Sequence, residues 1–105
     1  MSSRVAKKLT AFDAAKPTAA ILMVNLVDPQ LQTVAAFRRA VEERNVQFFY
    51  VLNKSDLVDA CRIEDLLKTV EGPLVVASMR TGRGLGAIKR KLADLPRGAR
   101  VVVLG

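Results

Sequence analysis

The sequence predicts an α/β fold: a three-layer, doubly wound sheet of four parallel strands with helices on both faces. Four β-branched apolar runs begin at Ala19 (AAILMVNLV), Val46 (VQFFYVL), Pro73 (PLVVAS) and Arg100 (RVVVLG), and their starts are 27 residues apart each time. These runs do not alternate with polar residues, which marks strands buried on both faces, as in parallel sheets. Each intervening segment carries apolar residues at helical spacing, and a helix is the usual connection between parallel strands.

Taken in order, the first helix runs from about Ser3 to Ala15, aligning Val5, Leu9 and Phe12, and stops before Pro17. The second spans Leu31 to Arg44 and would bury Leu31, Val34, Phe37 and Val41. The third follows the N-cap candidate Asp59, with Ala60, Ile63, Leu66, Leu67 and Val70 on one stripe. The fourth carries Leu85, Ile88, Leu92 and Leu95. Phe48, Phe49 and Tyr50 lie in a central strand and read as core, as does Met23. The units share a period but no sequence motif, so the chain is not a repeat protein.

With 105 residues, half of them apolar, the chain suits one domain: 1–17 as a basic helix and 18–105 as the remainder. Its longest apolar stretch, Ala19 to Val27, is broken by Asn25 and falls short of the roughly 20 residues of a membrane helix. No early apolar run with a cleavage pattern is present. The expectation is a cytoplasmic protein with no membrane partner. Cys61 is the single cysteine, expected as a half-buried inert thiol near a helix start, and there is no histidine. Those counts exclude an internal disulfide, a His/Cys zinc site, a Ser-His-Asp triad and a Cys-His pair.

The net charge of +7 is concentrated at the ends: +3 over residues 1–17, −2 over 18–78 and +6 over 79–105. Such a field attracts nucleic acid or nucleotide phosphates, and a solvated helix face accounts for the same residues.

Ligands of open α/β sheets bind beyond the carboxyl ends of the strands. Asp28-Pro29, Asn53 to Asp56, Ser78 to Gly84 and Gly105 leave those ends together. An aspartate held there can accept two parallel hydrogen bonds, from a ring N–H and an adjacent exocyclic amine. Guanine offers that pair and adenine does not. The loop SMRTGRG, residues 78–84, would add a backbone N–H, with Gly82 and Gly84 permitting a tight turn. The competing reading makes Asn53 and Asp56 an Asx-turn and a helix start.

NKSD at 53–56 resembles the NKxD guanine-specificity motif of GTPases, and the 78–84 loop resembles its SAK partner. Here both precede the strand VVVLG, residues 101–105, which resembles the strand entering a P-loop, with Gly105 as its first glycine. That order resembles the circularly permuted GTPases of ribosome assembly, in an incomplete form. LVDPQL at 26–31 resembles the family's DARxP segment through Pro29, without its arginine. The resemblance implies GTP or GDP as ligand and Mg²⁺ in a complete domain. It gives Asp56 the guanine N1 and N2 groups, Asn53 the loop tether and base edge, and Lys54 a packing role over the base. Ser78 would brace Asp56, the Met79 N–H would meet the guanine oxygen, and Arg80, in place of the family's lysine, would stack on the base. Pairing of this kind can reject a mismatched base by about 10⁴.

No GK[ST] occurs anywhere in the chain, nor a DxxG-like switch. That cradle holds the β and γ phosphates and Mg²⁺, so hydrolysis is not expected from these residues alone. Arg83, Lys89, Arg90, Lys91, Arg97 and Arg100, beside Arg80, are candidate contacts to ribosomal RNA or a ribosomal subunit. A non-catalytic RNA- or protein-binding module with the same fold is the alternative. The last strand is expected as an unpaired edge open to dimerisation.

Overall fold

The computed structural model describes residues 3–105. Helix α1 (Ser3–Ala15) is followed by strand β1 (Ala19–Asn25), helix α2 (Leu31–Glu43), strand β2 (Gln47–Asn53), a single 3₁₀ turn (Ser55–Leu57), helix α3 (Ala60–Thr69), strand β3 (Leu74–Val76), helix α4 (Leu85–Ala93) and strand β4 (Val101–Leu104). All pairings are parallel, in the order β3-β2-β1-β4. Three strands start one residue later than their apolar runs. The Val46 N–H instead closes α2 onto the Val41 carbonyl at 3.1 Å, and Pro73, which has no N–H, offers its carbonyl to Tyr50 N at 2.9 Å.

The strands divide their side chains between two cores. Ala20, Leu22, Val24, Tyr50, Leu52 and Leu104 meet Val5, Leu9 and Phe12 of α1, Phe37 and Val41 of α2, and Ile63 and Leu66 of α3. On the opposite face Ile21, Phe49, Val51, Val75 and Ala77 meet Ile88 of α4. Three helices cover one face and one covers the other, so the sheet is a middle layer. The layering follows from strand order. Two successive connections step in one direction from β1, and the third returns across the sheet to β4 on the other face.

The thin side explains where apolar residues stand in water. Leu92 on α4 is 36% exposed and Val103 on the edge strand β4 is 56% exposed. A helical stripe is buried along its whole width only when helices flank it, and α4 has no such neighbour on its face among the described residues. Leu31, expected inside, is exposed as the first residue of α2, and Ala60 is exposed at the start of α3. Cys61 is exposed rather than half-buried, because Ile63 and Leu66 set the inward face of α3. The Asp59 carboxylate does cap α3, accepting from Arg62 N at 2.9 Å.

α1 and α2 are tied by a two-pronged ion pair. Arg44 Nε donates to Asp13 Oδ1 at 2.6 Å and Nη2 to Oδ2 at 3.0 Å, while Nη1 reaches the Ala40 carbonyl at 2.9 Å. The hydrogen bond from Arg44 holds the Asp13 carboxyl below its ordinary value. Phe48 and Tyr50 pack edge to face at 5.5 Å, on the same side of β2 as expected for core residues. No helix among the described residues is long and apolar enough to cross a membrane.

Candidate functional site

Parallel pairing brings the carboxyl ends of all four strands to one edge, where β2 and β3 end in the two polar loops. Lys54 turns the chain with φ 68°, a left-handed conformation that stops β2 and starts the 3₁₀ turn. Ser55 N donates to the Ala77 carbonyl at 3.0 Å, and Leu57 N to the Lys54 carbonyl at 3.0 Å. The result is a rigid corner with Asn53 on one side and Asp56 on the other.

Ser78, fully buried, is the hub that joins the corner to the second loop. Its hydroxyl donates to Asp56 Oδ1 at 2.8 Å and accepts from Thr81 N at 3.1 Å. Its backbone N–H donates to the Arg83 carbonyl at 3.0 Å, and its carbonyl accepts from Gly82 N at 2.8 Å. Gly84 lets the loop lie against β3. Its φ is +81°, and a Cβ placed there would stand 2.5 Å from the Val76 carbonyl oxygen.

A second tether crosses between the loops: Met79 N donates to Asn53 Oδ1 at 3.1 Å. That bond makes Asn53 the loop tether expected of it, and it occupies the Met79 N–H, which a base carbonyl would have to share. The Asn53 amide makes no other hydrogen bond among the described residues, so Nδ2 remains a free donor.

Asp56 is arranged in the complementary sense. Its side chain is only 15% exposed, Oδ1 accepts from the Ser78 hydroxyl, and Oδ2 faces Arg80 Nη1 at 3.6 Å. A free donor on Asn53 and, on Asp56, a fixed carboxylate with acceptor sites left on both oxygens thus stand at the same corner. Asn53, Asp56, Ser78, Met79 and Arg80 are brought into one hydrogen-bonded and ion-paired cluster, and Lys54 shapes the corner through its backbone.

The other anticipated segments are placed less richly. Asp28 accepts from Gln30 Nε2 at 2.8 Å in a turn after β1. Gly105 follows β4 with φ 151°, in a position where a Cβ would meet the Met23 carbonyl oxygen at 2.5 Å, and Lys8 Nζ bonds to its carbonyl. Among the basic candidates Lys91 is half-buried, its Nζ 5.6 Å from the Phe49 ring centroid, whereas Lys89 and Arg90 are exposed.

Three contributors were not singled out from sequence. Thr81 braces Ser78 through its N–H, and its three-residue spacing from a serine is the signal of such a turn. Asn25 lies beside Asn53 in the β1–β2 register and accepts from Val27 N at 3.0 Å. Arg62 Nε donates to the Leu26 carbonyl at 3.3 Å, a contact between remote segments with no local signature.

The residues present do not fit a bound Mg²⁺ ion. The chain has no GK[ST] hydroxyl, and the described residues hold no group of three or more acidic, cysteine or histidine side chains able to ligate a metal. Comparison with protein-family models, with curated proteins and with solved structures gives no match.

Proposed function

We propose that the chain is a guanine-nucleotide-binding domain of the circularly permuted GTPase type, acting in ribosome assembly. The observation that carries this reading is the pair of tethers, Ser78 to Asp56 and Met79 to Asn53, which fixes the Asp56 carboxylate with acceptor sites left on both oxygens. In this reading Asp56 accepts from the N1–H and 2-amino group of guanine, and Asn53 Nδ2 donates to the base's other edge. Lys54 and Arg80 lie over the ring faces, and the Met79 N–H is shared with the base oxygen. Adenine presents an acceptor where Asp56 needs a donor, so two acceptors would face each other. Of the phosphate cradle this sequence supplies only Gly105, as its first glycine, and hydrolysis is assigned to no residue.

The test is a titration of the chain with GDP, GTP and ATP, followed by calorimetry and by NMR sensitive to millimolar affinity. Binding confined to guanine nucleotides, with shifts centred on Asn53 to Asp56 and Ser78 to Arg80, is expected. Equal response to ATP, or shifts elsewhere, would remove the reading.

A second reading, an RNA-binding module, draws on a separate observation. Lys89, Arg90, Arg97 and Arg100 are exposed, and their side chains make no ion pair among the described residues. RNA binding that weakens steeply with salt and ignores added nucleotide would favour it.

A further inference from the structure

We propose that Arg80 is a built-in competitor for the base edge of the Asp56 site, so that guanine binds by displacing a guanidinium from the carboxylate. The inference deepens the guanine reading and rests on it for the identity of the ligand, but the competing contact is a property of the loop itself.

The chemistry starts from what Asp56 has left to offer. Oδ1 accepts from the Ser78 hydroxyl at 2.8 Å, and that hydroxyl is fixed in turn by Thr81 N at 3.1 Å. Oδ1 keeps a second lone pair beside that bond and Oδ2 accepts no hydrogen bond among the described residues, so the carboxylate can still meet two parallel donors, and Arg80 Nη1 stands 3.6 Å from Oδ2. The N1–C2–N2 fragment of guanine is itself a guanidine: two N–H groups on neighbouring nitrogens of one carbon, in one plane. An arginine side chain presents the same planar donor edge with a full positive charge. Arg80 thus occupies the direction from which the base would approach.

Two features make it a cap rather than a permanent partner. The Arg80 side chain is 80% exposed, against 15% for Asp56, so the guanidinium can leave into water while the carboxylate stays fixed. The backbone that carries Arg80 is held in a closed turn, with Ser78 N bonded to the Arg83 carbonyl at 3.0 Å and Gly82 N to the Ser78 carbonyl at 2.8 Å. Displacement then needs only side-chain rotation. Once displaced, the same planar group is placed to cover the ring face, moving from the edge of the base to its surface.

Exposed ion pairs of this kind are weak, so removing the cap is expected to raise affinity about two- to five-fold. The experiment compares the chain with its Arg80→Ala variant by NMR titration with GMP and with AMP. The ratio of the two affinities is the readout, because loss of a positive charge acts equally on both phosphates. A GMP-to-AMP ratio raised about two- to five-fold in Arg80→Ala is expected. An unchanged or lowered ratio would overturn the competition and leave Arg80 as a stacking group.

If neither chain binds GMP, the guanine reading fails, and guanidinium ion becomes the probe of the cap. A shift of the Asp56 carboxylate carbon that is larger in Arg80→Ala than in the unaltered chain would still support Arg80 as its occupant. An identical response in both would overturn it.

Discussion

The buried hydroxyl of Ser78 is bonded at 2.8 Å to a carboxylate oxygen of Asp56, a residue 22 positions earlier in the chain. The bond joins the loop after β3 to the corner after β2, and it fixes the orientation of the Asp56 carboxylate.

Ser78→Ala should leave Asp56 Oδ1 and Thr81 N without their partner while adding no bulk. A buried group stripped of its hydrogen bond costs about 1–3 kcal/mol. Urea denaturation should show a lowered midpoint, and any guanine preference should fall with it as Asp56 loses its fixed orientation.

Asp56→Asn should move base preference from guanine toward xanthine. The amide can donate to the 2-oxo group of xanthine, whereas the carboxylate would meet it acceptor to acceptor. Competition between guanine and xanthine nucleotides, carried out on a form that binds nucleotide, is the measurement. An unchanged preference would remove Asp56 from its role.

Gly84→Ala and Gly98→Ala form a matched pair, since both glycines have φ +81°. A Cβ at Gly84 meets the Val76 carbonyl oxygen at 2.5 Å, whereas one at Gly98 meets nothing within 4 Å. The Gly98 variant should cost about 1–2 kcal/mol for the left-handed backbone alone. The Gly84 variant should cost clearly more, and the difference in denaturation midpoint measures the close approach of the loop to β3.

The Asp13–Arg44 pair should make stability depend on acid pH. Because Arg44 lowers the Asp13 pKa below its ordinary 3.8, folding gains from the charged form. The gain is present above that ordinary value and is lost as pH falls through the lower folded value. Thermal melts of the unaltered chain and of Asp13→Asn should therefore converge as the buffer is taken from pH 6 to pH 2, a range chosen to span the titration of carboxylates. A difference in melting temperature that stays constant over that range would show that the charge of Asp13 contributes nothing.

The fold was legible because uninterrupted apolar runs and helical stripes are local patterns, and α1 falls on Ser3–Ala15 as read. The corner at Asn53 to Asp56 was legible from a different signal, the abrupt change from Leu52 to four polar residues. Burial at the margins of the stripes was not. Leu31 and Leu92 carry the right periodicity, but their exposure depends on which neighbours flank each helix, a tertiary fact. The hidden part of the candidate site is likewise tertiary. The carbonyl that receives Arg62 and the orientation of Arg80 toward Asp56 both depend on how elements far apart in sequence dock.

The position of β4 has a kinetic consequence. Among the described residues it is bonded to β1 alone, and the junction at Thr18 and Arg100 joins residues 82 apart in sequence. Every other strand pairing links consecutive strands through one helix. Closing the longest loop carries the largest entropic cost, while the shorter β1–β2 and β2–β3 units can close first. Strand β4 should therefore dock late in folding and detach early in unfolding. Its amides should then exchange with solvent before those of β2, which is bonded on both sides.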